Sequence, residues 1–237
     1  EMPGSGYALD VEKAVFMERS FNARDAEGVQ VDQRWYAPLH EPSMLVHELH
    51  LVNRAEVELT VSFGQWGDVK SPALWAHLVP QESLAKHDLH AWNTHAIEGT
   101  SKVGEVGNRT SFALAANRIK DVVTLLPGGT ASLYGLIVIV TSLNSTDPAN
   151  DALSVLSKYM KDDFALMPEL FETHAEAWRQ RSEHGRIEVD GDLSLAQVIN
   201  SSLYYIRSSI RDDWPHGLSP GGLSSNGYSG HSFWDME

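Results

Sequence analysis

Cysteine is absent from the 237-residue chain. The chain therefore has no disulfide framework and no cysteine-ligated zinc site. Long hydrophobic runs are also missing, because the longest covers only residues 133–140 and contains Gly135. A helix that crosses a bilayer needs about 20 apolar residues, so the sequence predicts no membrane span.

Basic residues are scarce beside acidic ones. The chain has 18 lysines and arginines against 32 aspartates and glutamates, which gives a net charge of −14. An acidic surface repels phosphate backbones, so the composition argues against nucleic acid as a partner. A hydrophobic share of 42% and a charged share of 21% are ordinary for a globular protein, and the length suffices for one large domain or more.

Alternation of apolar and polar residues predicts β-strands in the first half of the chain. Val57, Leu59, Val61 and Phe63 alternate with polar residues, which is the period of a strand with one buried face. Further strands are predicted at 29–35, 45–52, 112–115, 122–125 and 133–140. The last is nearly all apolar and fits a central strand buried on both faces. Because no helical pattern separates these strands, an antiparallel β-sandwich is predicted.

Helical spacing replaces the strand pattern after residue 146. Asp147-Pro148 is a typical N-cap followed by proline at the first helical position. Pro168 is predicted to interrupt that helix. A second helix places His174, a predicted core residue, and Trp178 on one stripe and ends at Gly185.

A third, longer helix is predicted to begin at a capping box formed by Ser194 and Gln197. Its predicted apolar face comprises Leu195, Val198, Ile199, Ser202, Leu203, Ile206 and Ile210. The chain then ends in a glycine-rich stretch at 219–237, SPGGLSSNGYSGHSFWDME, which cannot form a long helix or a regular strand. Near its end, Trp234 offers a flat aromatic face beside the carboxylate of Asp235, a pairing suited to sugar recognition.

Several histidines resemble a metal-binding cluster at first sight. They are His47 with His50, and His87, His90 and His95 with Asp88. Strand spacing puts His47 and His50 on opposite faces, and no third ligand is fixed in register. The sequence therefore predicts neither a metal nor another cofactor.

The second half carries motifs that resemble glycoside hydrolase family 65. The matching residues are His174-x3-Trp178, Gly191-Asp192 with the helix LSLAQVINSSLYYI, Ser219-Pro220-Gly221-Gly222-Leu223, and Gly227-Tyr228-x-Gly230-His231-x-Phe233-Trp234-Asp235-x-Glu237. That family includes acid trehalases, protein glucosylgalactosylhydroxylysine glucosidases and the maltose, kojibiose and trehalose phosphorylases. The Ser-Pro-Gly-Gly-Leu motif resembles that of the eukaryotic hydrolases more than that of the bacterial phosphorylases.

The resemblance implies an N-terminal β-sandwich at 1–146, a helical linker at 147–190 and, at 191–237, the start of an (α/α)6 barrel that holds the active site. Family members place their catalytic general acid, and the phosphate-binding residues of the phosphorylases, further downstream. The rest of the barrel, on the same chain or a cleaved partner, is therefore an expected partner. The 237-residue chain alone is predicted to be inactive.

For the site, the resemblance implies that Trp234 and Asp235 bind the glucosyl unit of an α-glucoside or glycan at the cleavage point. Phe233, Tyr228, His231 and Glu237 are the other predicted substrate-binding residues; for Tyr228 and His231, loop packing is an equal alternative. Asp235 is the one candidate catalytic residue in the chain. It forms a poor acid–base pair with Glu237, because nothing in the sequence separates their pKa values.

The predicted function is that of an inverting α-glucoside hydrolase, trehalase-like or glucosylgalactosylhydroxylysine glucosidase-like. A disaccharide phosphorylase of the same family and a non-catalytic carbohydrate-binding or structural module are the alternatives. Asn108, Asn144 and Asn200 begin triplets of the N-glycosylation pattern. These triplets favour a secreted, extracellular, lysosomal or vacuolar protein over a cytoplasmic one.

Overall fold

The computed structural model describes residues 6–21, 28–63, 74–90, 93–101, 109–211, 218–222, 228 and 231. The strands within these ranges are β1 (Gly6–Asp10), β2 (Val15–Phe21), β3 (Val29–Tyr36), β4 (Met44–Asn53), β5 (Leu59–Ser62), β6 (Leu74–Leu78), β7 (Thr94–Ser101), β8 (Ser111–Asn117), β9 (Val122–Leu125) and β10 (Thr130–Thr141). The helices are α1 (Gln81–Ala85), α2 (Pro148–Phe164), α3 (Met167–Glu183) and α4 (Leu193–Ser208).

Two compact units make up the chain. The first contains residues 1–10 and 15–174, and the second contains residues 11–14 and 175–237. The strands lie in the first unit, and the second half of α3 and all of α4 lie in the second.

The first unit is built on an eight-stranded sheet with the order β1-β2-β3-β4-β10-β8-β7-β6, and β5 pairs with β9 in a second, two-stranded sheet. Every pairing is antiparallel, as the alternation in the sequence predicts. Strands β1, β2, β6 and β7 had no sequence prediction. Two of these, β1 and β6, are the five-residue edge strands of the large sheet, and such short segments carry a weak periodic signal.

Strand β10 is central, because it lies between β4 and β8. Its Leu136 and Val138 are fully buried, but the side chain of Ile139 on the opposite face is half exposed. The prediction of burial on both faces is therefore wrong at this end of the strand, where only one face is covered. Helix α2 supplies that cover, since its Leu153 and Leu156 join the same core cluster as Leu136 and Val138.

The predicted start of α2 is confirmed. The Asp147 carboxylate accepts a hydrogen bond of 3.2 Å from the backbone N–H of Asn150, and Pro148 occupies the first helical position.

The predicted interruption at Pro168 is wrong. Helical geometry breaks earlier, where Asp162, Asp163 and Phe164 have φ values of 50°, 54° and 64°. Three consecutive residues in the left-handed region interrupt the right-handed helical geometry near the end of α2. Pro168 instead lies in the first turn of α3, where a backbone N–H has no helical partner to lose.

A partly buried ion pair lies on the helix-covered face of the sheet. Arg34 of β3 donates two hydrogen bonds of 2.7 Å to the carboxylate of Glu48 on β4, whose side chain is nearly buried. The guanidinium also lies 3.8 Å from the ring centroid of Phe171 on α3. Tyr36 packs against both Phe171 and His174, with centroid distances of 5.3 and 5.0 Å. His174 is 1% exposed, so the prediction that it is a core residue is confirmed.

This ion pair should dominate the electrostatic part of the unit's stability. We expect Arg34→Ala to lower the free energy of unfolding by about 2–3 kcal/mol, because it leaves the carboxylate of Glu48 buried without its counter-ion. Urea unfolding followed by circular dichroism measures the change. Arg19→Ala is the matched control, since Arg19 also pairs with a carboxylate, that of Asp32, across two strands but is largely exposed. Equal midpoint shifts for both variants would contradict the assignment.

On the other face of the sheet, His47 stacks on the indole of Trp35, with ring centroids 4.6 Å apart and planes 6° apart. Its Nε2 lies 2.9 Å from the amide oxygen of Gln33, so Nε2 carries the proton and donates. Burial lowers the pKa of His47 below its ordinary value, which means that the folded protein favours the neutral imidazole.

A pH dependence of stability follows from His47. As the pH falls through the ordinary histidine pKa of about 6.5, the unfolded chain binds a proton that folded His47 resists, so stability is lost. We expect His47→Gln to reduce the loss of unfolding free energy between pH 7.5 and pH 5.5. Urea titrations of both proteins at the two pH values measure it, and identical losses would rule out this contribution.

The second unit joins α3 to α4. The ring of Trp178 packs on that of Tyr204, with centroids 5.5 Å apart. The guanidinium of Arg207, in the last turn of α4, donates a 2.7 Å hydrogen bond to the carbonyl of Gly185 just beyond the end of α3. The N-cap of α4 is Asp192, whose carboxylate accepts from the backbone N–H of Leu195 at 2.9 Å.

The predicted capping box of Ser194 and Gln197 is therefore wrong. Asp192 lies at the residue before the first helical turn and satisfies the orphan N–H that the box would have taken. Within the described chain, α4 has no buried residue, and its predicted apolar face is accessible: Leu195, Val198 and Ile206 are 47%, 62% and 51% exposed.

Candidate functional site

The described part of the terminal stretch begins with a tight turn over Ser219, Pro220, Gly221 and Gly222. The backbone N–H of Gly222 donates to the carbonyl of Ser219 at 2.9 Å. Proline suits the second position of such a turn because its ring fixes φ. Gly222 has a φ of +51°, in the left-handed region that favours glycine.

The end of α4 supports this turn. A Cβ placed on Gly222 would lie 3.0 Å from the Oγ of Ser209, closer than an ordinary van der Waals contact. Ser209 is itself held by two hydrogen bonds, since its Oγ donates to the carbonyl of Tyr205 and its N–H to that of Ile206. The glycine at 222 thus permits a close approach as well as a left-handed backbone.

A second turn follows at Tyr228. The backbone N–H of His231 donates to the carbonyl of Tyr228 at 2.9 Å, and Tyr228 has a φ of +66°. A left-handed conformation is uncommon for a bulky residue, and here it accompanies a turn. Tyr228 is 60% exposed and His231 is also exposed, so a phenol and an imidazole are both accessible. Each can exchange hydrogen bonds with a sugar hydroxyl.

The other predicted site residues, which are Phe233, Trp234, Asp235 and Glu237, lie outside the described residues, as does the glycosylation candidate Asn108. The structure therefore brings Tyr228 and His231 into one turn, and the roles of all six predicted site residues stay predictions.

The two described glycosylation candidates differ in their surroundings. Asn144 is exposed in the segment between β10 and α2. Asn200 lies within α4, where its side-chain amide donates to the carbonyl of Ala196 at 2.9 Å. The hydroxyl of Ser202, the third residue of that triplet, donates to the carbonyl of Val198. Asn144 is thus the more accessible of the two.

The histidines considered as metal ligands have separate partners. His47 bonds Gln33, His50 lies 3.2 Å from the hydroxyl of Ser132, and His87 lies 3.1 Å from the side-chain oxygen of Asn150. Among the residues that the structure describes, no three or more histidine or carboxylate side chains form a group that could hold a metal ion. No described helix has the length and apolar character needed to cross a membrane.

The sequence did not predict the contacts of two residues at the end of α4. Ser209 contacts the Gly222 turn, and Arg207 ties α4 to the carbonyl of Gly185. The available signals were the Pro-Gly-Gly composition of the turn, which marks a close backbone approach, and the glycine after α3. Neither pattern predicts which side chain contacts the glycine.

Comparison with known proteins bears on the substrate class. No family model matches the chain. The chain is 41% identical over 128 residues to a protein-glucosylgalactosylhydroxylysine glucosidase of Dictyostelium discoideum, a match that covers 54% of this chain and 17% of the relative. It is 34% identical over 100 residues to a kojibiose hydrolase of Mucilaginibacter mallensis, covering 41% of this chain and 14% of that protein.

A mouse protein-glucosylgalactosylhydroxylysine glucosidase is 38% identical over 77 residues, covering 29% of this chain and 11% of the relative. The matches thus span less than a fifth of each of these three relatives.

Among solved structures, a putative kojibiose phosphorylase from the human microbiome superposes with a TM-score of 0.69 over 99% of this chain and 33% of its own. At 11% identity the likeness shows a shared fold alone, a mostly antiparallel β-sheet with a few helices that matches the N-terminal β-sandwich of such an enzyme. Taken with the curated relatives, it confirms the resemblance drawn from the sequence motifs: the chain is homologous, over part of their length, to the glucoside-acting enzymes of glycoside hydrolase family 65.

Proposed function

We propose that the chain supplies the N-terminal part of an inverting α-glucoside hydrolase that acts on a terminal glucosyl unit. The observation that carries the proposal is the 41% identity to a protein-glucosylgalactosylhydroxylysine glucosidase across more than half of this chain. Hydrolysis is favoured over phosphorolysis because the three curated relatives at 34–41% identity are named as two glucosidases and one hydrolase, whereas the phosphorylase is similar in fold alone.

Helix α4 supports the proposal that residues 191–237 begin an (α/α)6 barrel, after a β-sandwich at 1–146 and a linker at 147–190. A helix with an apolar stripe is stable in a globular protein when that stripe packs against another element. In the described chain the stripe of α4 is exposed, with Val198 at 62%. The relatives are several times longer than the matched segment, so they have chain enough to supply the packing partners.

In this proposal, residues 219–237 form one wall of the cleft. The indole of Trp234 stacks on the C–H face of the glucosyl ring, and the carboxylate of Asp235 accepts hydrogen bonds from two neighbouring hydroxyls. Tyr228 and His231, exposed in one turn, and Phe233 and Glu237 complete the contacts.

The general acid belongs to the part of the barrel downstream of Glu237. An inverting mechanism needs that acid and a base about 6.5–9.5 Å apart, so that water fits between the base and the sugar. Water then displaces the leaving group in one step, and the acid protonates the departing oxygen. Glycosylation at Asn144 and a secretory or lysosomal location remain part of the proposal.

The choice between hydrolase, phosphorylase and non-catalytic module has a direct test. We expect the longer protein that contains this chain to release glucose from glucosylgalactosylhydroxylysine, kojibiose or trehalose at a rate independent of inorganic phosphate. We expect the purified 237-residue chain to release none, because it lacks the acid. Strict dependence on phosphate would indicate a phosphorylase, and no turnover of any of the three by the longer protein would indicate a binding or structural role.

Asp235 is the residue that the proposal depends on most. We expect Asp235→Asn to lower kcat/KM of the longer protein by about 100-fold, because two charge-assisted hydrogen bonds to the sugar become weaker neutral ones. Glucose release under subsaturating substrate measures the change. Glu188→Gln serves as the control, since Glu188 is an exposed carboxylate paired with Arg186. A decrease of less than threefold for Asp235→Asn would remove it from the sugar site.

A further inference from the structure

The turn at residues 219–222, which begins the terminal stretch, contacts the end of α4. Helix α4 ends at Ser208, and both Arg207 in its last turn and Ser209 at its C-cap make contacts beyond the helix. Arg207 reaches back to the end of α3, and Ser209 meets the turn that opens the terminal loop. These two residues thus contact the segments on both sides of α4.

The contact on the α3 side leaves little room. The Nη2 atom of Arg207 donates to the carbonyl of Gly185 at 2.7 Å, and a Cβ on Gly185 would lie only 2.4 Å from that nitrogen. A charged donor to a backbone carbonyl is among the stronger hydrogen bonds, and this one also places a cation near the C-terminal ends of two helices. A side chain at 185 would therefore displace the end of the Arg207 side chain from its observed position.

The contact on the other side, at Gly222, is also close. Gly222 lies against Ser209, with 3.0 Å between the position of a Cβ and the serine Oγ, and its φ of +51° excludes an unstrained side chain. Gly191 offers a comparison within the same unit. It also has a positive φ, of +81°, but a Cβ there would meet no atom of the described residues within 4 Å.

We propose that Arg207 and Ser209 are positioning residues for the turn at residues 219–222, which begins the terminal stretch. Arg207 fixes the last turn of α4 against the end of α3, and Ser209 is the surface on which the Pro220-Gly221-Gly222 turn sits. The position of this turn within the second unit is thereby set by two residues outside the turn. The importance of this for sugar binding rests on the proposed function, but the contacts can be tested without a sugar.

The first experiment measures amide hydrogen exchange in the 237-residue chain. The N–H groups of residues 209 and 222 are suitable reporters, because they are bonded to the carbonyls of Ile206 and Ser219. We expect Arg207→Ala to accelerate exchange at both by about tenfold, as local opening becomes easier, while amides of β4 and β10 keep their rates. Arg207→Lys should recover part of the protection, because a lysine ammonium can still donate to the carbonyl of Gly185.

The control is Arg186→Ala, which removes an exposed arginine next to Gly185 that pairs with Glu188. It should leave exchange at 209 and 222 unchanged. Equal exchange in Arg207→Ala and Arg186→Ala would overturn the role of Arg207, as would a lysine variant no better protected than the alanine variant.

The second experiment keeps the proposal testable if Arg207→Ala fails to fold. Gly222→Ala should accelerate exchange at 209 and 222 through both strain and the close contact with Ser209. Adding Ser209→Ala removes the contacting oxygen and should restore at least threefold of the protection. In the Gly191→Ala background, where strain exists without the contact, Ser209→Ala should restore nothing. The same effect of Ser209→Ala in both backgrounds would overturn the proposal that Ser209 supports the turn at Gly222.

The exchange measurements and the glucose-release assay test the two proposals independently. If exchange shows no role for Arg207 and Ser209 in positioning the turn, the proposed sugar-binding role of Trp234 and Asp235 is unaffected. Conversely, unchanged glucose release by Asp235→Asn would leave the contact between Ser209 and the Gly222 turn intact but remove its link to the substrate.

Discussion

The pairing of Arg34 with Glu48 is the constraint on which the first unit depends. A carboxylate that is 7% exposed must keep its counter-ion, because a buried charge without one is strongly unfavourable. The two 2.7 Å hydrogen bonds hold β3 and β4 in one register, and the ring of Phe171 over the guanidinium brings the start of α3 onto the same face. Strand register and helix position are therefore determined together.

Local chemistry predicts much of this fold. The strand predictions that match β3, β4, β5, β8 and β9 and the predicted Asp147-Pro148 start of α2 are confirmed, because each depends on residues close in sequence. The helix boundaries read from Pro168 and from Ser194 were wrong for a common reason. In each case more than one nearby residue could serve, and the sequence pattern does not choose between them.

The site divides in the same way. The motif string ending in Trp234 and Asp235 predicted a glucosyl-binding enzyme family, and the relatives agree with that class. The sequence could not reveal that Arg207 would meet Gly185 or that Ser209 would meet Gly222, since these pairs are 22 and 13 positions apart with no pattern linking them. Such contacts depend on how α4 lies against the end of α3 within the second unit, which periodicity does not encode.

The central pairing of β4 with β10 has a consequence for how the protein is made. Residues such as Val46 and Leu136 lie in register across the sheet, although most of the unit's sequence separates them. The meander of β1 to β4 can pair as it emerges from a ribosome, but β4 keeps one open edge until β10 has been synthesised. An exposed strand edge on an incomplete chain invites pairing with other chains, so the segment between β4 and β10 is where synthesis and folding must stay in step.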